Sequence, residues 1–154
     1  MKKLFPLGCS CLLLAATAAT AQPPDPTSWY RSGYAPLWEA EPWTRVASML
    51  SYYADVVRTH EVDGGITSSD KHDWLAAPMD DWRAEGWLNS SLVHLQTDRI
   101  NETTVTFKAG WIDRYRDSED ELSCGWYLAD YLDSRWQFTA YADIDCADQG
   151  FVLP

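Results

Sequence analysis

The side chains that could carry chemistry in this chain are few and scattered. Three histidines, His60, His72 and His94, supply the groups that titrate near neutrality. Asp80 and Asp81 stand just ahead of Trp82, where negative charge suits the first turn of a helix better than paired acid–base work. The acidic run at 117–121 reads as a solvated turn and lacks the ligand spacing of a calcium loop. Cys124 and Cys146, with three scattered histidines, do not make a zinc spacing, so neither a metal site nor a cofactor is expected. Against this sparse polar set stand nine Trp and eight Tyr, more than a small core requires. The surplus predicts an aromatic-walled cavity or a hydrophobic interface.

The beginning of the chain predicts export. Lys2 and Lys3 precede a stretch of small and apolar residues that runs to Ala19. Ala19-Thr20-Ala21 then gives the small-x-small pattern of a cleavage site, so residues 1–21 read as a signal peptide. The apolar stretch is short for a spanning helix, and Pro6 and Gly8 interrupt its start. Cys9 and Cys11 lie near the beginning of that stretch rather than at its end, which argues against lipid attachment. A periplasmic or secreted location follows, with no membrane association after cleavage. The signal holds two basic residues and no acid, so its removal takes the formal net charge from −11 to −13. So acidic a chain is a poor partner for nucleic acid or an anionic membrane surface. An oxidising compartment permits a disulfide between Cys124 and Cys146; the alternative is two separate buried thiols.

The remaining residues predict one domain. Residues 22–27 form a proline-rich lead, read as extended and mobile; the domain spans 28–146, and 147–154 is a tail. Trp29, Tyr30, Tyr34, Leu37 and Trp38 predict a short helix broken by Pro36. A longer helix is expected from Pro42, because Val46, Met49, Leu50, Tyr53 and Val57 follow helical spacing. Asp63-Gly64-Gly65 marks the turn of a short hairpin, 56–61 with 66–68. Ser69 or Asp70 caps a further helix carrying Trp74, Leu75, Met79 and Trp82, which Gly86 ends. From Leu88 onward the period changes to two, predicting strands at 92–100, 103–115, 123–132 and 136–144. The fold class is therefore α+β, helices first and an antiparallel meander after.

Alternation places Val105, Phe107, Ala109 and Trp111 on one face, and Trp136, Phe138, Ala140, Ala142 and Ile144 on another single face. A two-residue loop at Asp133-Ser134 aligns Tyr127, Ala129 and Tyr131 with that second set. A three-residue loop aligns Trp126, Leu128 and Leu132 instead. The two-residue register sets Cys124 and Cys146 on opposite faces, and a bridge between them then requires a bulge.

Three segments resemble nuclear transport factor 2-like (SnoaL-like) proteins. Leu50-Ser-Tyr-Tyr-Ala-Asp-Val-Val57 is similar to the end of their second helix, where it leads into the first strand. Asn101-Glu-Thr-Thr-Val-Thr-Phe-Lys-Ala-Gly-Trp111 resembles their central strand, and Gly125 to Phe138 their last hairpin. The resemblance implies a cone: a curved antiparallel sheet wrapped on N-terminal helices, with a pocket between them and often a homodimer through the sheet. Members include isomerases, dehydratases, cyclases, hydrolases and non-enzymatic binding domains, so fold does not decide function.

In the isomerase-like members a catalytic carboxylate follows the helix-ending Ala-Asp by a few residues. Counting from Ala54-Asp55 places His60 there, as a general base with Asp113 or Asp143 to orient it. Hydrogen-bond donors and cavity wall are expected from Tyr53, Trp74, Trp82, Trp111, Trp126, Tyr127 and Tyr141. The first reading is a pocket for a small apolar or aromatic molecule. A cone-family enzyme using His60 and a partner-binding or dimerisation domain are the alternatives.

Overall fold

The computed structural model describes residues 22–149. The expected export signal and residues 150–154 of the expected tail lie outside the described residues. Short helical turns come first: α1 (Pro26–Ser28), a wide π-type turn (Trp29–Tyr34) and a tight turn (Ala35–Leu37). A second tight turn (Pro42–Thr44) leads into α2 (Val46–Leu50). Strands β1 (Tyr53–His60) and β2 (Ile66–Asp70) precede a π-type turn (His72–Ala76) and α3 (Ala77–Ala84). Then come β3 (Trp87–Arg99), β4 (Thr104–Tyr115), β5 (Glu121–Leu132) and β6 (Arg135–Asp143), with a last turn at Ala147–Gln149. The six strands form one curved, unclosed sheet in the order β2-β1-β6-β5-β4-β3. All neighbours are antiparallel except β1 and β6, which are parallel. The helical turns cover one face of that sheet, as an α+β cone requires.

The expected long helix from Pro42 through Val57 is not formed. Helical geometry stops at Leu50, and Tyr53 opens β1 instead. A spacing of four residues explains the difference, since it is a multiple of the strand period as well as close to a helical turn. Tyr53 and Val57 are thus buried together on one face of a strand. The β-branched Val56, Val57 and Thr59 favour that outcome. Phe138 N–H donates to Tyr52 O at 2.7 Å and ties the end of α2 to β6. The hairpin expected near Gly64 is present but longer, and β3 begins five residues before its expected start at Leu92. Asp70 Oδ1 accepts from His72 N–H at 2.8 Å, opening the helical segment where a cap was expected.

The lead also differs from expectation, because residues 24–27 are held against the sheet. Trp136 Nε1–H donates to Pro24 O at 2.8 Å, and the hydroxyls of Thr27 and Thr97 are 3.0 Å apart. Pro26 is buried, and Asp25 Oδ2 accepts from Ser28 N–H.

The β5–β6 hairpin takes the two-residue loop. Asp133 and Ser134 both have positive φ, 49° and 64°, and Leu132 pairs with Arg135 across the turn. Tyr131 therefore faces Trp136, and Ala129 faces Phe138. One residue later the single expected face of β6 breaks. Leu128 pairs with Ala140, so Thr139 is an extra residue, a bulge. Beyond it Tyr141, paired with Tyr127, joins the helix-covered face, while Ala140 and Ala142 turn to the other. The bulge also brings Cys146 to the face of Cys124, and the two are joined by a disulfide with Cα atoms 5.3 Å apart. The helix-covered face carries the core, where Tyr30, Tyr53, Phe107, Trp136 and Phe138 are each at most 1% exposed.

Candidate functional site

A cavity of about 420 Å³ opens between the sheet and the helical turns at one end of the molecule. Its floor follows from strand alternation. Trp111, Asp113 and Tyr115 are successive same-face residues of β4. Ser123, Gly125 and Tyr127 do the same on β5, and Tyr141 and Asp143 follow the bulge on β6. The opposite wall comes from the helical side: Tyr34 and Trp38 from the first turns, Trp74 and Leu75 from the second π-type turn, and Trp82 from α3. Tyr53 and Thr59 of β1 and Trp87 and Ser90 of β3 close the sides. Ser90 N–H donates to Trp38 O at 2.9 Å, which fixes the Trp38 backbone against the sheet. Trp74 Nε1–H donates to Thr59 Oγ1 at 2.9 Å and holds that ring at the wall.

Gly125 makes room for two of the rings. A Cβ there would stand 2.8 Å from Tyr141 Cε2 and 3.0 Å from Tyr127 Cε2. The two phenol rings pack edge to face over the bare backbone, centroids 5.1 Å apart.

The polar atoms of the site form a small, ordered set. The hydroxyls of Tyr34 and Tyr53 share a short hydrogen bond. Both side chains are buried, and loss of solvation pushes their pKa values well above 10.0. Burial likewise raises Tyr127, and the nearby carboxylates of Asp113 and Asp143 push it the same way. Tyr141 is raised by burial first, and its neutral hydroxyl donates to Asp143 Oδ1. All four tyrosines therefore stay neutral and can donate at ordinary pH. Ser90 Oγ–H donates to Asp113 Oδ1, and Trp87 Nε1–H donates to Ser90 Oγ at 3.2 Å. Two indole groups of the wall, Trp38 Nε1–H and Trp111 Nε1–H, are buried with no aligned hydrogen-bond acceptor among the described residues. They lie near the Tyr34 and Tyr127 oxygens, close enough to polarise them but off the alignment of a made bond.

The structure thus gathers Tyr53, Trp74, Trp82, Trp111, Asp113, Tyr127 and Tyr141 around one space. His60 and Trp126 are the corrections. Their rings meet each other, centroids 6.1 Å apart, and His60 is exposed. Thr59 points into the cavity, so His60, the next residue on the strand, points the other way; Trp126 precedes Tyr127 and does the same. The count that selected His60 assumed a helix through Ala54-Asp55, which are strand residues here. No imidazole lines the cavity. Trp87, Ser90 and Glu85 are wall residues that the sequence reading missed. Trp87 and Ser90 precede the expected start of β3; the signal available was Gly86, whose φ of +100° ends α3 one residue before the strand begins.

No protein-family model matches this sequence, and no curated protein matches it. Solved structures do. A domain of unknown function with a cystatin-like fold from Nostoc punctiforme aligns with a TM-score of 0.56 at 12% identity, over 81% of this chain and 82% of that one. A nuclear transport factor 2-like protein of unknown function from Shewanella oneidensis gives 0.52 at 14%, over 68% and 88%. A candidate ketosteroid isomerase from Shewanella frigidimarina gives 0.51 at 15%, over 66% and 82%. At these identities the likeness is one of fold, and the fold is the nuclear transport factor 2-like cone.

Proposed function

We propose that this protein is an exported binding domain that holds a small, largely apolar or aromatic molecule in the cone. The observation that carries the reading is the cavity itself: about 420 Å³, walled by Trp and Tyr side chains, with two buried indole donors left for an acceptor. That size and lining suit a molecule of a few tens of atoms oriented by a few polar contacts. The neutral tyrosines and Trp111 favour a ligand that presents a carbonyl, ether or hydroxyl oxygen inward. Proton transfer through His60 has no support here, because its imidazole lies on the far face of the sheet.

The test is a thermal-shift screen of small aromatic compounds against the chain beginning at Gln22. A ligand present at a hundred times its Kd stabilises by about 2.7 kcal/mol, which raises Tm by about 10 °C for a domain of this size. Trp111→Phe removes the buried donor and lowers that shift. A screen in which no compound stabilises the protein, or in which Trp111→Phe and His60→Ala weaken every hit equally, sinks the proposal.

A further inference from the structure

Resting on that binding reading, we infer that the ligand is an organic cation: an ammonium group held in an aromatic cage, on a body that ends in a hydrogen-bonding oxygen. Among the described residues the cavity wall carries three carboxylates, Glu85, Asp113 and Asp143, and no lysine, arginine or histidine. None of the three carboxylates forms an ion pair among the described residues. Of the cations near them in sequence, Arg83 stacks on Trp43 at 4.9 Å and Arg114 reaches Asp120 at 3.7 Å, while Arg116 donates its backbone N–H to Gly86 O.

Two independent features convert this imbalance into a site. The first is the wall between the carboxylates. Trp74, Trp82 and Trp87 present ring surface to a space bounded by negative charge, the arrangement that attracts an ammonium ion through the ring quadrupole. A neutral or anionic guest would leave that charge uncompensated in a partly dry cavity. The negative field reaches the interior: Asp113 and Asp143 both disfavour ionisation of Tyr127, and Asp113 and Glu85 both disfavour that of Tyr115. The second is Trp111, 5% exposed, whose indole N–H makes no aligned hydrogen bond among the described residues. Trp111 and Asp113 are same-face neighbours on β4, so an acceptor and a cation are called for about 7 Å apart, two residues of strand rise. A single amphoteric molecule, positive at one end and oxygen-bearing at the other, meets both demands.

The experiment uses three compounds that share one phenol body: tyramine (cation), 4-ethylphenol (neutral) and 3-(4-hydroxyphenyl)propanoate (anion). Isothermal calorimetry near neutral pH gives Kd for each. Tyramine is expected to bind at least about tenfold more tightly than 4-ethylphenol, with the propanoate weakest. In the Asp113→Asn/Asp143→Asn variant the tyramine-to-ethylphenol ratio collapses to about one, with near-UV circular dichroism checking that the fold persists. Equal or tighter binding of 4-ethylphenol or the propanoate in the native protein overturns the cation assignment and leaves the apolar-cavity reading standing. So does a ratio that survives the double substitution. If none of the three binds while a different, uncharged compound stabilises the protein, the cation assignment alone falls. If nothing binds at all, both fall.

Discussion

Removing the Cys124–Cys146 disulfide tests how this small sheet is held together. The bridge links β5 to Cys146, three residues beyond the end of β6, closing a segment with a sequence separation of 22. In the unfolded chain, closing a loop of that length removes about 11 cal/mol/K of conformational entropy, or about 3 kcal/mol at room temperature. An unfolding entropy near 2.1 cal/mol/K per residue gives about 0.27 kcal/mol/K for a domain of about 130 residues. The Cys124→Ala/Cys146→Ala variant should therefore melt about 12 °C lower than the oxidised protein. Urea unfolding followed by tryptophan fluorescence measures the same loss as free energy. The oxidised protein should also show the smaller dependence on denaturant, because its cross-linked unfolded state exposes less surface. Native protein treated with a reductant should match the double variant. A loss below about 1 kcal/mol with unchanged denaturant dependence refutes the argument: the hairpin, closed at its other end by Asp133-Ser134, would then already restrict the unfolded chain.

Three further outcomes follow from the site. Gly125→Ala forces a methyl group against the Tyr141 and Tyr127 rings, at 2.8 and 3.0 Å, and should cost about 1–3 kcal/mol in urea unfolding while weakening binding of any ligand that contacts those rings. Tyr53→Phe leaves the buried Tyr34 hydroxyl without its partner and should cost about 1–3 kcal/mol; adding Tyr34→Phe should cost less than the sum, and strict additivity in the double-mutant cycle would deny the pair. Alkaline stability should fall steeply. Folding raises the pKa values of Tyr34 and Tyr53 above 10.0, so their stabilisation is complete below about pH 10 and is lost as pH climbs from there toward the folded-state values. Each tyrosine kept protonated adds about 1.4 kcal/mol per pH unit to that slope. Tyrosinate absorbance should rise for these residues only with unfolding, and early non-cooperative titration of the whole set would contradict their burial.

The meander was legible because period two holds over most of each strand, as it does along β4. Val105, Phe107, Ala109 and Trp111 are buried, and no helix shares that pattern. The two-residue loop was readable as one of two options; the choice needed positive φ at both Asp133 and Ser134, which residue type alone does not fix. Tyr53 and Val57 misled because residues four apart coincide on strand and helix alike. His60 was misplaced by the same error, since a count from a helix end has no meaning when that end is strand. A bulge was implied by a Cys124–Cys146 bridge, but its place was not: Thr139 looks like any alternating residue, and only the pairing of its neighbours, Phe138 with Ala129 and Ala140 with Leu128, reveals it as extra. Trp87 and Ser90 were hidden by a late strand start. The aromatic surplus pointed to a cavity, but the pairing of Ser90 with Asp113 joins residues 23 apart and could not be read from local pattern.

Thr139 splits β6 into two halves with different allegiances. Trp136 and Phe138, before it, pack the core; Tyr141 and Asp143, after it, furnish the cavity, and Cys146 falls on the opposite face with Cys124. Drawn into the ladder instead of bulging from it, Thr139 would restore uniform alternation and set Ala140 and Ala142 at the wall in place of Tyr141 and Asp143, two methyl groups for a phenol and a carboxylate. That one-residue slip would also carry Cys146 away from Cys124. A single extra residue in the ladder thus couples recognition to covalent closure, because both depend on the register beyond Thr139, whereas the core side of the strand packs independently of it.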